Sequence, residues 1–259
     1  MKELFLKNHF KKNLSRLEIF FKLKKLIMKK ILLVVLILFG TDVLAQQMAY
    51  NVVYVRAEEN SEWQIGNLIE TYYTDNKRKS GGVVLEKLRH GRPKGMTHRI
   101  VWLWELGKSG MADGELSEYE QSNFRSQLRG YVEEWGMSYS GRMINWVEGD
   151  MRETPYIHIW DITPEDPTAF QKAHKEFIES VPEVFGGRFN GFGTYDINQP
   201  NGATHWVLVS GKDLDDHLQL LHNLETKYPA AMQKFGKERG ETTIVHDFTF
   251  ENLKYITTE

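Results

Sequence analysis

Histidine is the side chain in this sequence best suited to acid–base chemistry, and one histidine lies in a pattern that favours a functional role. Residues 156–161 read Tyr-Ile-His-Ile-Trp-Asp, an alternation of apolar and polar side chains that is typical of a half-buried strand. Tyr156, His158 and Trp160 therefore share one face. Because a polar ring on a buried face needs a hydrogen-bond partner or a ligand, we interpret His158 as a catalytic base or orienting donor, and Tyr156 and Trp160 as ligand contacts.

The other histidines give weaker signals. His246 lies in a strand-like segment and is a further candidate for ligand contact. His98 and His205 both end a Gly-x-Thr-His phrase, where a hydrogen bond to the preceding turn explains a repeated ring at least as well as catalysis does. His217 and His222 are five residues apart on a predicted helix, so they do not share a face as a metal-binding pair would need. We therefore expect no metal site.

Composition excludes several classes of function. The chain has no cysteine, which rules out a thiol nucleophile and disulfides, and it has no Gly-x-Ser-x-Gly motif for a serine nucleophile. Of the 33 Lys/Arg and 35 Asp/Glu residues, ten and three respectively precede residue 46, so the remainder carries a net charge near −9. A chain so acidic is poorly suited to binding phosphate backbones, and no nucleic-acid partner is expected.

The N-terminal residues have the pattern of a secretory signal peptide. Met28-Lys29-Lys30 is basic, Ile31–Phe39 is an apolar run shorter than the roughly 20 residues of a membrane span, and Val43-Leu44-Ala45 resembles a cleavage site. We interpret residues 28–45 as the signal peptide and residues 1–27 as a mis-assigned start or an extended basic region. The alternative is an uncleaved membrane anchor. The prediction is an exported protein, periplasmic or extracellular, with no membrane contact after cleavage.

An internal repeat organises the rest of the chain. The phrase Gly-x-Thr-His occurs at Gly95 and again at Gly202, and each copy opens a β-rich run. Around each copy the apolar periodicity predicts the order strand, helix, strand, strand, helix, strand. We therefore divide the chain into two units, residues 46–150 and 151–259. In the first unit, the apolar stripe from Phe124 to Trp135 predicts a second helix that ends at Gly136.

Two successive units of this kind have the ferredoxin-like order of elements. The tandem arrangement resembles the dimeric α+β-barrel superfamily, and here a single chain would supply both halves. The resemblance implies an α+β fold in which two four-stranded antiparallel sheets face each other as a barrel with the helices outside. It also implies a monomer or a homodimer. Members of the superfamily include cofactor-free monooxygenases of polycyclic phenols, haem-degrading enzymes, chlorite-decomposing enzymes and proteins without known activity, so the fold alone does not choose a function.

The strand patterns predict which side chains line the barrel. If Ile157 and Ile159 pack on helices, then Tyr156, His158 and Trp160 face the interior. By the same argument Val52, Tyr54 and Arg56 face inward in the first strand, while the facing of the third and fourth strands is open.

The predicted function follows from that interior. We expect a small planar or aromatic molecule to stack on Trp160 and Tyr54, with Arg56 holding an anionic group. Turnover would be cofactor-free oxygenation or haem-linked chemistry. For haem, the resemblance makes His174 a candidate ligand, because some haem-binding relatives use a helical histidine. The alternative is a non-catalytic structural or interaction protein whose barrel is filled by its own side chains.

Overall fold

The predicted order of elements is present in the computed structural model, which describes residues 47–114 and 116–257. The residues of the predicted signal peptide lie outside this range. The first unit consists of β1 (Met48–Ala57), α1 (Glu62–Asp75), β2 (Gly82–Leu88), β3 (His98–Glu105), α2 (Glu118–Arg129) and β4 (Val132–Val147). None of the helices in the part of the chain that the structure describes is long and apolar enough to cross a membrane.

The second unit repeats this order and adds two helices. Its elements are β5 (Tyr156–Pro164), α3 (Pro167–Ser180), α4 (Pro182–Phe185), β6 (Asn190–Thr194), a 3₁₀ turn (Pro200–Gly202), β7 (His205–Gly211), α5 (Leu214–Lys227), α6 (Pro229–Glu238) and β8 (Thr242–Thr257). The short α4 extends the first helix, and α6 follows the second. Proline occupies the first position of α6, where its missing N–H has no helical acceptor to lose.

The eight strands close into one antiparallel barrel in the order β1-β3-β2-β8-β5-β7-β6-β4. Closure depends on β4 and β8, which are each 16 residues long. The first part of β4 pairs with β1 and its end pairs with β6, whereas β8 pairs with β5 and then with β2. Each long strand thus joins the two sheets and leaves no free edge. The predicted fold class is confirmed.

The repeated phrase marks the start of the third strand in each unit. Gly95 and Gly202 have φ angles of 81° and 86°, a region that disfavours side chains with a Cβ. In both copies the threonine Oγ1 lies 2.8 Å from Nδ1 of the next histidine, so His98 and His205 bind the preceding turn. These contacts agree with a hydrogen-bonding role for the two histidines in the turn.

One predicted helix is too long. The helix α2 ends at Arg129, and Trp135 lies in β4 opposite Val55 of β1. The apolar stripe that suggested a helix up to Gly136 contains Tyr131 and Val132, whose β-branched and aromatic side chains suit a strand equally well. Backbone pairing with β1 makes the segment from Val132 onward a strand.

The predicted facing is right for Val52 and Tyr54 of β1, and it is wrong for Arg56 and for β5. Val52 and Tyr54 are buried in the barrel, as expected. In β5, however, Ile157 and Ile159 line the barrel, and His158 and Trp160 point outward to the helices. Alternation fixes which residues share a face but not which face is inside, and the outer face supplies polar partners for the imidazole.

Two other ligand-contact residues also lie outside the barrel interior. Tyr156 is on the outer face of β5 with His158, and its hydroxyl donates to Thr249 Oγ1 at 2.8 Å. Arg56 forms ion pairs with Glu133 and Glu134 at 3.0 and 2.8 Å, and its side chain is 38% exposed. A register irregularity between Arg56 and Ala57 falls at this point. Neither residue can hold a ligand inside the barrel.

Candidate functional site

The barrel interior is nearly filled by its own side chains. Arg99 and Glu86 are both buried and form an ion pair at 2.5 Å, and the guanidinium lies 4.1 Å from the ring centre of Phe250. A second interior contact is the Tyr54 hydroxyl, 3.4 Å from Arg99 Nη1. The remaining cavity measures about 70 Å³, well below the roughly 300 Å³ at which pockets for larger ligands begin. A packed interior is what the structural alternative requires.

His246 is the one predicted site histidine that does lie on the inner face. Its Nδ1 is 3.7 Å from Oδ2 of the buried Asp161, and this contact raises the pKa of the imidazole above its ordinary value. The other carboxylate oxygen of Asp161 accepts a 2.6 Å hydrogen bond from the Tyr195 hydroxyl. His246 and Tyr195 therefore provide the polar partners that the buried Asp161 carboxylate needs at one end of the barrel.

A larger cavity lies on the outer face of the second sheet, beneath α3, α5 and α6. It measures about 200 Å³ and is lined mainly by apolar and aromatic side chains. Phe235 of α6 covers it by stacking on Phe177 of α3 at 4.8 Å with 13° between the ring planes. Trp160 and His174, which the sequence had marked as ligand and cofactor contacts, both line this cavity. We call it the α3–α6 cavity.

His174 is the buried titratable side chain of the α3–α6 cavity. The residue is 8% exposed, and its ring lies among those of Phe170, Phe192 and Phe235. Burial in these surroundings lowers its pKa to about 4, so the imidazole is neutral at pH 7. Its Nδ1 is buried and has no hydrogen-bond partner among the described residues. A neutral ring with an unpaired nitrogen is suited to bind a polar group on a ligand.

His158 belongs to a separate hydrogen-bonded chain behind Trp160. Its Nδ1 lies 2.7 Å from Nε2 of His217 on α5, and its Nε2 lies 2.9 Å from Asp247 Oδ2 on β8. The ring also packs 3.7 Å from that of Trp160. Burial lowers the pKa of His158, with a smaller opposing effect from Asp247. Because both ring nitrogens are engaged by the protein, His158 cannot at the same time act as base on a ligand.

Among these hydrogen-bonded residues, the ring nitrogen without a partner belongs to His217. Its Nδ1 is buried without a partner among the described residues, and burial together with the neighbouring His158 lowers its pKa to about 4. The spacing of His217 and His222 argues only against a metal pair, and nothing in the sequence connects Asp247 with His158. No local spacing could have joined residues from β5, α5 and β8. The strand pairing of Asp247 opposite Trp160 brings the carboxylate to His158, and the packing of α5 on the sheet brings His217.

His174 is the candidate ligand for a haem group. The neutral, unpaired imidazole has the protonation state that iron ligation needs. The cavity is too small, however, because an apolar cavity of about 150 Å³ holds one benzene ring, and about 200 Å³ does not admit a macrocycle of four pyrroles. Among residues 47–257 as described, no group of three His, Asp or Glu side chains is arranged to hold a metal ion. The residues of the α3–α6 cavity therefore do not fit a haem group.

Comparison with known proteins concerns the fold. No protein-family model and no curated protein matches the chain. A candidate monooxygenase from Lactobacillus acidophilus NCFM superposes with a TM-score of 0.54 at 12% identity, over 82% of this chain and 97% of that one. Another from Fusobacterium nucleatum gives 0.49 at 16% identity, over 81% and 94%. A candidate chlorite dismutase gives 0.44 at 8% identity, over 80% and 95%. Together with the closed strand order, the first superposition shows that the chain has the dimeric α+β-barrel fold, with both halves supplied by one polypeptide.

Proposed function

We propose that the protein binds a small aromatic molecule carrying one polar group in the α3–α6 cavity. The observation that carries the proposal is an apolar cavity of about 200 Å³ that contains one neutral imidazole with an unpaired, buried nitrogen. An apolar pocket with a few well-placed polar groups is the usual form of a small-molecule site. The filled barrel interior, by contrast, leaves room for little more than water.

The size of the cavity limits the ligand to about one ring. A 150 Å³ apolar cavity accommodates benzene, so about 200 Å³ accommodates a benzene ring with one or two small substituents. A polycyclic phenol would require α6 to move away from α3. Phenol and its simple derivatives are therefore the ligand class that the cavity fits.

His174 distinguishes phenol from a purely apolar ring. In the neutral imidazole one nitrogen is an acceptor, and a phenolic hydroxyl that donates to it would satisfy a group that is otherwise buried without a partner. Making that hydrogen bond stabilises the complex by about 1 kcal/mol or more relative to leaving the nitrogen unpaired. Toluene has the same shape and lacks this contact.

A finer proposal concerns turnover. The Lactobacillus protein of the same fold is a candidate monooxygenase, so oxygenation without a cofactor is the reaction to test first. His174 would accept a hydrogen bond from the hydroxyl of a bound phenol, and O₂ would oxidise the ring. One oxygen atom would form the second carbonyl of a quinone. The other would leave as water, together with the hydroxyl hydrogen and the ring hydrogen that the new carbonyl replaces. The rival proposal, favoured by the filled barrel, is a protein that binds without turnover.

Calorimetry with matched ligands tests the binding proposal. We expect phenol and toluene both to bind the purified protein, and His174→Phe to lower the ratio of phenol to toluene affinity about tenfold. His222 is exposed on α5, so His222→Phe is the matched control and should leave the ratio unchanged. If neither ligand binds, or if the ratio is the same in both variants, the proposal is wrong. Oxygen consumption with phenol, measured on the same samples, separates turnover from binding.

We also propose that the protein is exported. The support is the signal-like pattern of residues 28–45, together with the start of β1 at Met48, so that cleavage after Ala45 would leave every strand of the barrel intact. Mass spectrometry of the protein recovered from the producing cells should give a mature chain that begins at Gln46. Recovery of an exported chain that still contains Met28 would contradict cleavage.

A further inference from the structure

The first unit contains a second cavity at the place that corresponds to the α3–α6 cavity. It lies on the outer face of the first sheet beneath α1 and α2, and it measures about 480 Å³. This volume is within the roughly 300–1,000 Å³ range of small-molecule sites. We call it the α1–α2 cavity. It is distinct from the site of the proposed function, because the two cavities share no lining residue.

The difference in size has a structural cause. In the second unit, α6 follows α5 and places Met232, Phe235 and Arg239 over the α3–α6 cavity. In the first unit only Gly130 and Tyr131 separate α2 from β4, so the described chain has no counterpart of α6 there. The space that a helix fills in one half is left open in the other. Trp135, at the edge of this opening, is 43% exposed.

The floor of the α1–α2 cavity is a fixed set of aromatic rings. Tyr72 and Phe124 stack at 4.0 Å with 21° between their planes, and Tyr73 packs edge-on against Tyr72 at 5.0 Å. The indole of Trp102 donates a 2.7 Å hydrogen bond to the Tyr73 hydroxyl, which holds both rings in place. Flat, rigid faces of this kind bind the planar rings of a ligand.

The rim of the α1–α2 cavity carries two positive charges. Arg125 and Arg129 lie four residues apart on α2, so both project from the same helix face. Arg125 contacts Gln121 Oε1 at 3.2 Å, and neither guanidinium forms an ion pair with any carboxylate of the described residues. On the same helix, Glu120 is occupied by its capping box with Ser117. Two neighbouring like charges disfavour a helix unless an anion lies between them.

The loop at the other side of the opening is hydrogen-bonded to the segment that connects α1 to β2. Lys79 N donates to Gly110 O at 2.9 Å, and Ala112 N donates to Lys77 O at 2.7 Å. Gly110 and Met111 of this loop line the cavity. The opening is therefore bounded on one side by a tethered loop and on the other by the arginine-bearing helix.

From these contacts we propose that the α1–α2 cavity binds a planar, anionic aromatic molecule of about two fused rings. The rings stack over Tyr72, Phe124 and Trp135, and the carboxylate or equivalent anionic group lies between Arg125 and Arg129. A guanidinium is well matched to a carboxylate because its planar N–H groups form paired hydrogen bonds with the two oxygens. The α1–α2 cavity has room for a second ring, whereas the α3–α6 cavity does not.

The test uses 2-naphthoate as the probe and neutral 2-naphthamide as its shape-matched comparison. Calorimetry should show 2-naphthoate binding, and the double variant Arg125→Gln/Arg129→Gln should weaken it at least about tenfold while leaving 2-naphthamide binding unchanged. Both arginines are exposed, so the variant should fold as the wild type does. Affinity for 2-naphthoate should also fall as salt rises, because the anion site is near the surface.

The control variant is Arg239→Gln, which removes the arginine that lines the other cavity. It should leave 2-naphthoate binding intact. Loss of binding in Arg239→Gln with none in the double variant would move the anion to the α3–α6 cavity and overturn the proposal. Equal affinity of all three proteins for 2-naphthoate, or no binding at all, would also overturn it. Saturating phenol should not displace 2-naphthoate, so each site can fail in the test without the other.

Discussion

The buried histidine of the α3–α6 cavity should make the protein lose stability in mild acid, and replacing it should remove that loss. His174 is surrounded by the rings of Phe170, Phe192 and Phe235, and burial alone lowers its pKa to about 4 from an ordinary 6.5. As pH falls below 6.5, the unfolded chain takes up a proton at this residue and the folded protein does not. Stability is therefore lost progressively between about pH 6.5 and pH 4, with no further loss from this residue below that.

The magnitude follows from the two pKa values. Between pH 7 and pH 5, the linkage relation gives a loss of about 2 kcal/mol of unfolding free energy from His174, and the complete shift corresponds to about 3 kcal/mol. In His174→Phe this contribution is absent, while all other titrating groups, including His217, stay the same. The difference in unfolding free energy between pH 7 and pH 5 should thus be about 2 kcal/mol smaller in the variant than in the wild type.

Urea unfolding followed by tryptophan fluorescence at pH 7, 6 and 5 measures this difference directly. The quantity to compare is the change in unfolding free energy between pH 7 and pH 5. The absolute unfolding free energy is not compared, because the new phenyl ring also changes packing. His222→Phe, at an exposed position, should retain the pH dependence of the wild type. If wild type and His174→Phe lose the same free energy between pH 7 and pH 5, His174 is not buried as a neutral imidazole, and its role in ligand recognition fails with it.

Three further outcomes follow from the structure. Glu86→Gln leaves Arg99 buried without its counter-ion and should destabilise the protein by about 3 kcal/mol in urea unfolding, whereas Glu86→Leu/Arg99→Met should recover most of that loss; an equal loss in both would show that the ion pair is not the cause. Gly95→Ala and Gly202→Ala should each cost about 1 kcal/mol, because an added Cβ meets no atom within 4 Å and only the positive φ opposes it. Losses far above that would mean that the added methyl group clashes with a neighbouring atom. Titration with haemin should give no Soret shift that depends on His174; a shift abolished by His174→Phe would show that the helices open wide enough for a porphyrin.

The duplicated fold could be predicted because its signals are local and occur twice. The phrase around Gly95 and Gly202 repeats a backbone requirement, a glycine with positive φ followed by a threonine that binds the next histidine. Element order then follows from apolar periodicity. The cap of α1 was not predictable in the same way: Ser61 followed by Gln64 matches a capping box, yet the Ser61 hydroxyl donates to Glu58 O and Tyr131 O instead. The box forms at Ser117, ahead of α2.

The site could be predicted only in part, because its residues come from distant segments that meet between the outer face of the sheet and the helices that cover it. The alternation in β5 correctly groups His158 with Trp160, but the choice of inner or outer face depends on what the helices offer. His217 of α5 offers a ring nitrogen 2.7 Å away, and Phe235 of α6 covers the cavity beside Trp160. Those contacts join segments more than fifty residues apart. A pattern read along one strand contains no information about them.

The most direct test of the central claim is to locate a bound phenol within the protein. Crystals soaked with 4-iodophenol would give an anomalous signal from the iodine that is independent of any interpretation of the ring. We expect the signal in the α3–α6 cavity, with the hydroxyl within hydrogen-bond distance of a His174 ring nitrogen, and a weaker signal in crystals of His174→Phe soaked at a concentration that half-saturates the wild type. An iodine site inside the barrel beside Arg99, with the α3–α6 cavity empty, would contradict the account.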